Sequence, residues 1–573
     1  MAWLADDAQE GRRAGTEAGL RAGQWIAAQL AEIGLAPAGE GGFTQTFEVP
    51  KPVAVGTSSA VAGHSNGPQD VIPMFCSSAG RAAGALEWRG YGIVNGEKQW
   101  NDFEARCDGK VVVIVRGTPP APKAAGEAAQ PAESAHGGNV QSGDGWGNSG
   151  SLFLKVMNAK RAGAVAVLVA PHPDQANEPL PRFDASRGAQ AGIPALFISS
   201  ALAEQLVPNY AAAIAALDGK SDPLRAQALD KEVLVVADVT RENGPATNVL
   251  ARLVGQSSER CIVIGAHYDH LGWGGEGSLA PDQQGVVHNG ADDNASGTAV
   301  VLEMARLLAS GPKPACDVVF ALWSGEELGL LGSDHWTKHP TVPLERVALN
   351  LNLDMVGRCA SGKLSVLGAG SSAPLEAWLK ELGPAAGLQL EISLSGQGVG
   401  GSDHQSFLKH KIPAVHVFTG VHADYHKPSD DTERFEAQGA AQIAGMCVEL
   451  VRRAAQAPAL AWIEPPAAVA SPDRARGGGF RVWFGSVPEY SHKGPGILLG
   501  GTSAGSPAEK AGLMAGDILR QVGDVRIDSE TDSMAEYMYA LQTYKAGDVV
   551  LARFVRDGKE LSTRVTLATR EAQ

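Results

Sequence analysis

No stretch of the 573 residues approaches the ~20 consecutive apolar positions that cross a bilayer, so the chain does not read as membrane-spanning. Its start, Met-Ala-Trp-Leu-Ala-Asp-Asp, lacks the apolar core of a signal peptide. It reads either as cytoplasmic or as beginning after a removed signal. The six cysteines (Cys76, Cys107, Cys261, Cys316, Cys359, Cys447) form no CxxC pair, which argues against a thiolate zinc site. Cys261 and Cys316 sit in apolar, strand-like runs and read as core, while Cys76 and Cys107 could pair. Positive charge is in deficit: 48 Lys and Arg against 63 Asp and Glu leave −15, which argues against nucleic acid as a partner. Glycine, by contrast, is plentiful at 70 residues and implies many tight turns.

At roughly 150 residues per domain the length calls for three or four units. Positions 8–34 have the pattern of an amphipathic helix ending at Gly34, with Ala18, Leu20, Ile26, Ala27, Leu30 and Ile33 on its apolar face. A strand-rich region follows from about 70 to 225, with apolar runs at Lys110–Val115, Ala164–Val169 and Ile193–Ile198. Inside it, Thr118–Gly150 is rich in Ala, Pro, Gly and Ser and reads as a flexible excursion. From about 228, strands alternate with helices: strands at Cys261–Ala266, Asp317–Trp323, Val347–Leu353 and Ile412–Phe418, helices at Ala295–Leu308 and Ala437–Arg453. Val300, Val301, Met304, Leu307 and Leu308 supply the inner side of the first helix. This alternation implies a doubly wound α/β sheet covered on both faces. A linker at 456–479 and a small β-rich unit at 480–573 complete the chain.

Ligands of open α/β sheets bind beyond the carboxyl ends of the strands, and acids and histidines gather there. His267-Tyr268-Asp269, Asp292-Asp293-Asn294, Glu326-Glu327, Asp354 and His426 appear in turn. Singly, each has a plain explanation: a helix cap for Asp292, an N-terminal charge pair for Glu326 and Glu327. Together they suffice for a two-metal hydrolytic site. Asp292, Glu327 and Asp354 bring three negative charges, and the imidazoles of His267 and His426 favour zinc, cobalt or manganese over calcium or magnesium. Paired ions about 3.5–4 Å apart need a bridging carboxylate, and Asp292, in a tight turn, suits it. On this reading Asp292→Ala loses metal. Asp269 stands two residues from His267, placed to accept its second ring N–H. Glu326 points away from Glu327 and is the natural general base. His270, His288, His404, His416 and His422 read as supporting side chains rather than ligands. The glycine-rich loop Gly274–Gly285 is a candidate lid or pocket wall.

The strings Gly-Ala-His267-Tyr-Asp269-His-Leu-Gly, Gly-Ala-Asp292-Asp293-Asn-Ala-Ser-Gly, Ser-Gly-Glu326-Glu327-Leu-Gly, Asn-Leu-Asp354-Met-Val-Gly, Gly-Ser-Asp403-His404 and Asp-Tyr-His426-Lys-Pro resemble the co-catalytic di-zinc aminopeptidases, relatives of glutamate carboxypeptidases and the transferrin receptor. The resemblance implies two zinc ions per chain, one on His267 and Asp354, the other on Glu327 and His426. Asp292 would bridge them and be joined to Asp293 by a cis peptide. Glu326 would activate water and then protonate the leaving amine, and Asp269 would orient His267. Some relatives stabilise the oxyanion with a tyrosine just before the Ser-Asp-His motif. Here that stretch is Gly398-Val399-Gly400-Gly401, which leaves Tyr425, His422 or zinc for the role, with Asp403 and His404 as further supporting groups.

Gly109–Arg116 and Ala159–Leu168 resemble a protease-associated (PA) domain, an insert at 70–225 within a peptidase domain of 1–69 and 226–455. The tail, with Gly505-Ser-Pro-Ala-Glu-Lys-Ala-Gly and Asp517-Ile-Leu, resembles a PDZ domain. Such a domain takes a peptide as an added strand and holds its C-terminus on backbone N–H groups, here at Gly496, Ile497, Leu498 and Leu499. The expectation is a zinc-dependent exopeptidase, an aminopeptidase, acting on peptides and periplasmic or secreted as such relatives are. The alternatives are a carboxypeptidase or dipeptidase, with Arg358 as the nearest cation for a substrate carboxylate, or a non-catalytic peptide-binding protein.

Overall fold

The computed structural model describes the chain apart from positions 66, 96–97, 120–145, 147–149, 184–189, 219–226, 276, 281–282, 284, 396–400, 459, 466–481, 489–493, 503–505, 515, 529–532, 534–535, 538–539, 542–543, 545 and 569–573. Most of the expected excursion at Thr118–Gly150, the linker at 456–479 and Gly398–Gly400 thus lie outside the described residues.

Four parallel strands form the middle of the larger sheet, in the order Cys316–Trp323, Ser257–His267, Val347–Leu353 and Ala414–Phe418. Antiparallel pairing at both flanks makes the sheet mixed. Asn243–Leu253 lies against Cys316–Trp323, and Lys363–Leu367 against Ala414–Phe418. Strands of this composition are apolar on both faces because both are covered. Along Ser257–His267, Ile262 and Ile264 pack with the helices Gly297–Ser310 and Ala437–Gln456. Cys261 and Val263 face the other way, toward Trp336 and Phe407. Trp323, Trp336 and Phe407 form a three-ring contact with centroids 5.6–6.1 Å apart. Phe407 is fully buried there. Phe407→Ala is expected to cost about 3–5 kcal/mol, measurable by denaturant unfolding.

Several sequence expectations are corrected. The helix expected over 8–34 is two elements, a 3-10 turn at Asp7–Arg12 and a helix at Glu17–Glu32. Gly11 and Gly15, at φ +65° and +77°, take the chain through left-handed backbone between them, and the Thr16 hydroxyl caps the second by accepting from Gly19 N–H. Leu307 is exposed rather than on the inner side of its helix. The six cysteines are all free and buried, Cys76 and Cys107 included.

A second, seven-stranded sheet forms the insert. It takes in Ala60–Val61 and Gln227–Ala237, so it reaches beyond the 70–225 limits on both sides. Its core strands Val111–Val115, Ala166–Ala170 and Ala195–Ile198 are parallel and fully buried. The C-terminal unit is a six-stranded antiparallel sheet. No helix among the described residues is long and apolar enough to cross a membrane.

Candidate metal centre

Parallel register brings the expected residues to one edge of the larger sheet. His267 ends its strand and pairs with Trp323, three residues before Glu326, while Asp354 follows the Val347–Leu353 strand. The segment 291–294 is a buried, kinked turn ahead of the Gly297–Ser310 helix. The Asp430 carboxylate holds it, with Oδ2 accepting from the N–H groups of both Asp292 and Asp293 at 3.0 Å. Asn294 ties the turn to the next strand end, accepting from Met355 N–H and donating to Leu353 O.

The carboxylate that reaches both histidines is Asp293, not Asp292. Asp293 Oδ1 lies 3.3 Å from His267 Nε2, and Oδ2 lies 3.2 Å from His426 Nε2. Asp354 Oδ1 is 3.3 Å from His267 Nε2, and Glu327 Oε2 is 3.1 Å from His426 Nε2. Asp292 faces away: Oδ1 accepts from Gly357 N–H at 2.6 Å and Oδ2 meets His422 Nε2 at 3.1 Å. The non-proline cis peptide is likewise one bond later than expected, at Asp293–Asn294.

Hydrogen bonds fix the tautomers. His267 Nδ1 is 3.2 Å from Asp269 O, and His426 Nδ1 is 2.8 Å from Gly277 O. Carbonyls only accept, so both Nδ1 atoms donate and both Nε2 atoms face the acids. His270 differs: its Nδ1 faces the Glu327 carboxylate at 2.7 Å, so it donates to that acid. Asp269 was expected to orient His267 through its side chain. It does so mainly through its main-chain oxygen, the carboxylate lying at 3.8 Å, and its Oδ1 instead accepts from Glu326 N–H at 3.2 Å.

Charges are severely crowded. Burial opposes the charged form of His267, yet Asp354, Glu326 and the contacts to Asp293 and Asp354 outweigh it and raise its pKa well above the usual value. His426 behaves likewise beside Glu327 and Asp293. Burial, then the charges of Asp354, Glu327 and Asp403, push the Glu326 carboxyl well up. Lone pairs facing carboxylates at 3.1–3.3 Å repel unless a cation or proton lies between them. Two imidazole nitrogens and three carboxylates form a donor set suited to two divalent ions. Among the described residues, His267, Asp293 and Asp354 form one group within metal-binding reach, and His270, Asp293 and Glu327 another.

Residues 248–451 match peptidase family M28, 82–206 match the PA domain and 502–556 a PDZ domain. Residues 248–451, which carry the site, are thus similar to peptidase family M28. Aminopeptidase YwaD of Bacillus subtilis is 34% identical over 185 residues, 31% of this chain and 37% of that protein. The probable lipoprotein aminopeptidase LpqL of Mycobacterium tuberculosis is 28% identical over 266 residues, 43% of this chain and 49% of that protein. The chain thus matches less than half the length of these curated relatives. The solved structure of BSAP, a zinc aminopeptidase from Bacillus subtilis, is 23% identical and aligns over 80% of this chain and 95% of its own, with a TM-score of 0.46.

The remaining expected residues surround this centre. Tyr425 stacks on the His426 ring with centroids 3.8 Å apart, and burial, then Asp293 and Glu327, drive its hydroxyl pKa well up. His422 belongs with Asp292. Asp403 and His404 are fully buried, and His404 stacks on His416 at 4.7 Å. Burial raises the Asp403 carboxyl to about 7. Arg358, expected as a cation for a substrate carboxylate, is engaged with Asp430 at 2.9 Å and Asp424 at 3.5 Å. The loop expected as a lid is fastened to this centre. Besides Gly277 O on His426, Leu279 N–H donates to His426 O, and Ser278 Oγ meets His288 Nε2 at 2.8 Å.

The PDZ expectation also needs correction. Ile497–Thr502 is an interior strand, with Ser486–Pro488 on one side and Ile518–Val522 on the other. The Gly496 N–H already donates to Ser533 Oγ. A peptide cannot add beside Leu499 without displacing Ser486–Pro488. Among the described residues, one edge of the sheet is instead Ser486–Pro488.

Proposed function

We propose that the chain is a zinc-dependent exopeptidase, an aminopeptidase that removes N-terminal residues from peptides, with two zinc ions per chain. Asp293 carries this assignment, because its two oxygens address the two histidines separately. One ion would take His267 and Asp354, the other His426 and Glu327, with Asp293 shared. Zinc would supply Lewis acidity to polarise the scissile carbonyl and acidify water. Glu326 borders the same cluster, its Oε2 3.8 Å from His267 Nε2. It accepts the proton of the attacking water and returns it to the leaving amine. Asp269 keeps base and histidine in register, bonding to one through its side chain and to the other through its backbone. The relatives' names support the amino-terminal direction, and so does the engagement of Arg358 by two acids, which leaves it poorly placed to receive a substrate carboxylate.

The test is mass spectrometry of a short-peptide pool incubated with the zinc-loaded protein. Ladders shortened from the amino end are expected; shortening from the carboxyl end would move the assignment to carboxypeptidase. Peptide C-termini are proposed as partners of the PDZ domain, along the Ser486–Pro488 edge. Removal of 480–573 is expected to leave cleavage of short peptides within about twofold of the full chain, since no ligand or base comes from that unit. A loss beyond tenfold would place the PDZ domain in the chemistry. The lipoprotein relative supports a periplasmic or secreted location.

A further inference from the structure

Arg12 is fully buried and lies far outside the residues that match the M28 family. Its guanidinium donates to four main-chain carbonyls. Nε reaches Tyr268 O at 2.8 Å, Nη1 reaches Leu4 O and Asn289 O at 2.6 Å each, and Nη2 reaches Gly290 O at 3.1 Å. Tyr268 lies between His267 and Asp269. Asn289 and Gly290 run directly into the turn that holds Asp293. One planar fork thus joins two segments that bring ligands from different parts of the chain.

The backbone around it is shaped for this contact. Glu10 and Arg12 are both held at φ +49°, left-handed values that non-glycine residues adopt only where surroundings enforce them. Gly11 lies between them, where a Cβ would come within 2.4 Å of His288 O and 2.5 Å of Gly272 O. Gly272 N–H donates to Gly11 O at 3.0 Å, and Asn289 Nδ2 donates to Asp7 Oδ1 at 2.6 Å. The segment therefore threads between the two loops and bonds to each. All four acceptors of Arg12 are carbonyls, so its charge is not spent on a partner carboxylate. It acts at longer range on Asp269, Asp293, Asp430 and Glu327, offsetting part of the negative charge gathered there.

We propose that Arg12 is a positioning residue of the metal centre, tying the strand end with His267 and Asp269 to the turn with Asp293. This rests on the zinc assignment above. The experiment uses the full chain as wild type, Arg12→Gln, Arg12→Lys and Asp7→Ala. Metal-stripped protein is titrated with zinc, and amide hydrogen exchange is followed without metal. Arg12→Gln is expected to melt cooperatively yet bind zinc about 10- to 100-fold more weakly, with faster exchange confined to 268–272 and 288–294. Arg12→Lys, with the charge but not the fork, should recover part of the affinity. Asp7→Ala should speed exchange at 288–294 alone. An arginine that merely stabilised the fold would lower the melting temperature without moving zinc affinity or localising exchange. Wild-type affinity and protection in Arg12→Gln would overturn the proposal. If both Arg12 variants fail to fold, unchanged exchange at 288–294 in Asp7→Ala overturns it. A wild type that binds no zinc would sink the zinc assignment instead, and the exchange data would still test the tie.

Discussion

Replacing Glu326 with glutamine is expected to leave zinc content at the wild-type level and to cut turnover by about 10²- to 10⁴-fold. The glutamine keeps the shape and hydrogen-bonding reach of the acid but cannot take a proton. Nothing in the proposed ligand set is lost, since Glu327, the neighbour that meets His426, is untouched. The Glu326 backbone N–H stays on Asp269, so the loop is expected to hold its course. Metal analysis beside steady-state kinetics on a short peptide decides it. Near-normal kcat with full zinc would remove Glu326 from the role.

The second large effect separates two adjacent aspartates. Asp293→Ala should lose tight binding of both ions at once, because each oxygen serves a different histidine. The loss should exceed the ~10- to 100-fold typical of residues that only support a ligand. Asp292→Ala should retain both ions while losing stability. It strands the buried Gly357 N–H, at about 1–3 kcal/mol. Zinc stoichiometry and thermal melting of the two variants, side by side, settle which aspartate lies between the metals. Loss of both ions from Asp292→Ala with retention in Asp293→Ala would reverse the assignment.

That pair also shows where sequence stops being informative. The strand ends were legible because apolar runs terminate at His267, before Glu326 and at Asp354, and parallel register then carries those positions to one edge. His426 and Glu327 were expected from chemistry and order, and the fold brings them within 3.1 Å of each other. Which of two neighbouring aspartates turns inward depends on the course of the Ala291–Asn294 backbone, and that is set by Asp430 and by the bonds of Asn294 to Leu353 and Met355, partners distant in sequence. Arg12 was missed for a related reason. Its partners are carbonyls, which leave no trace in side-chain spacing, and the helical period drawn through positions 8–34 concealed the break at Gly11 and Gly15. The PDZ strand was misplaced because local motif gives no strand neighbours; only the pairing shows that Ile497–Thr502 is interior.

The bond from His426 Nδ1 to the carbonyl of Gly277 has a practical bearing on protein engineering. The glycine-rich loop would be an obvious segment to exchange with a homologue's in order to alter selectivity. A graft that shifts that one oxygen would also let the imidazole turn. Libraries built over 274–285 should therefore keep the backbone at 277–279 fixed and vary the flanks, or altered selectivity will be confounded with a turned His426, a proposed zinc ligand.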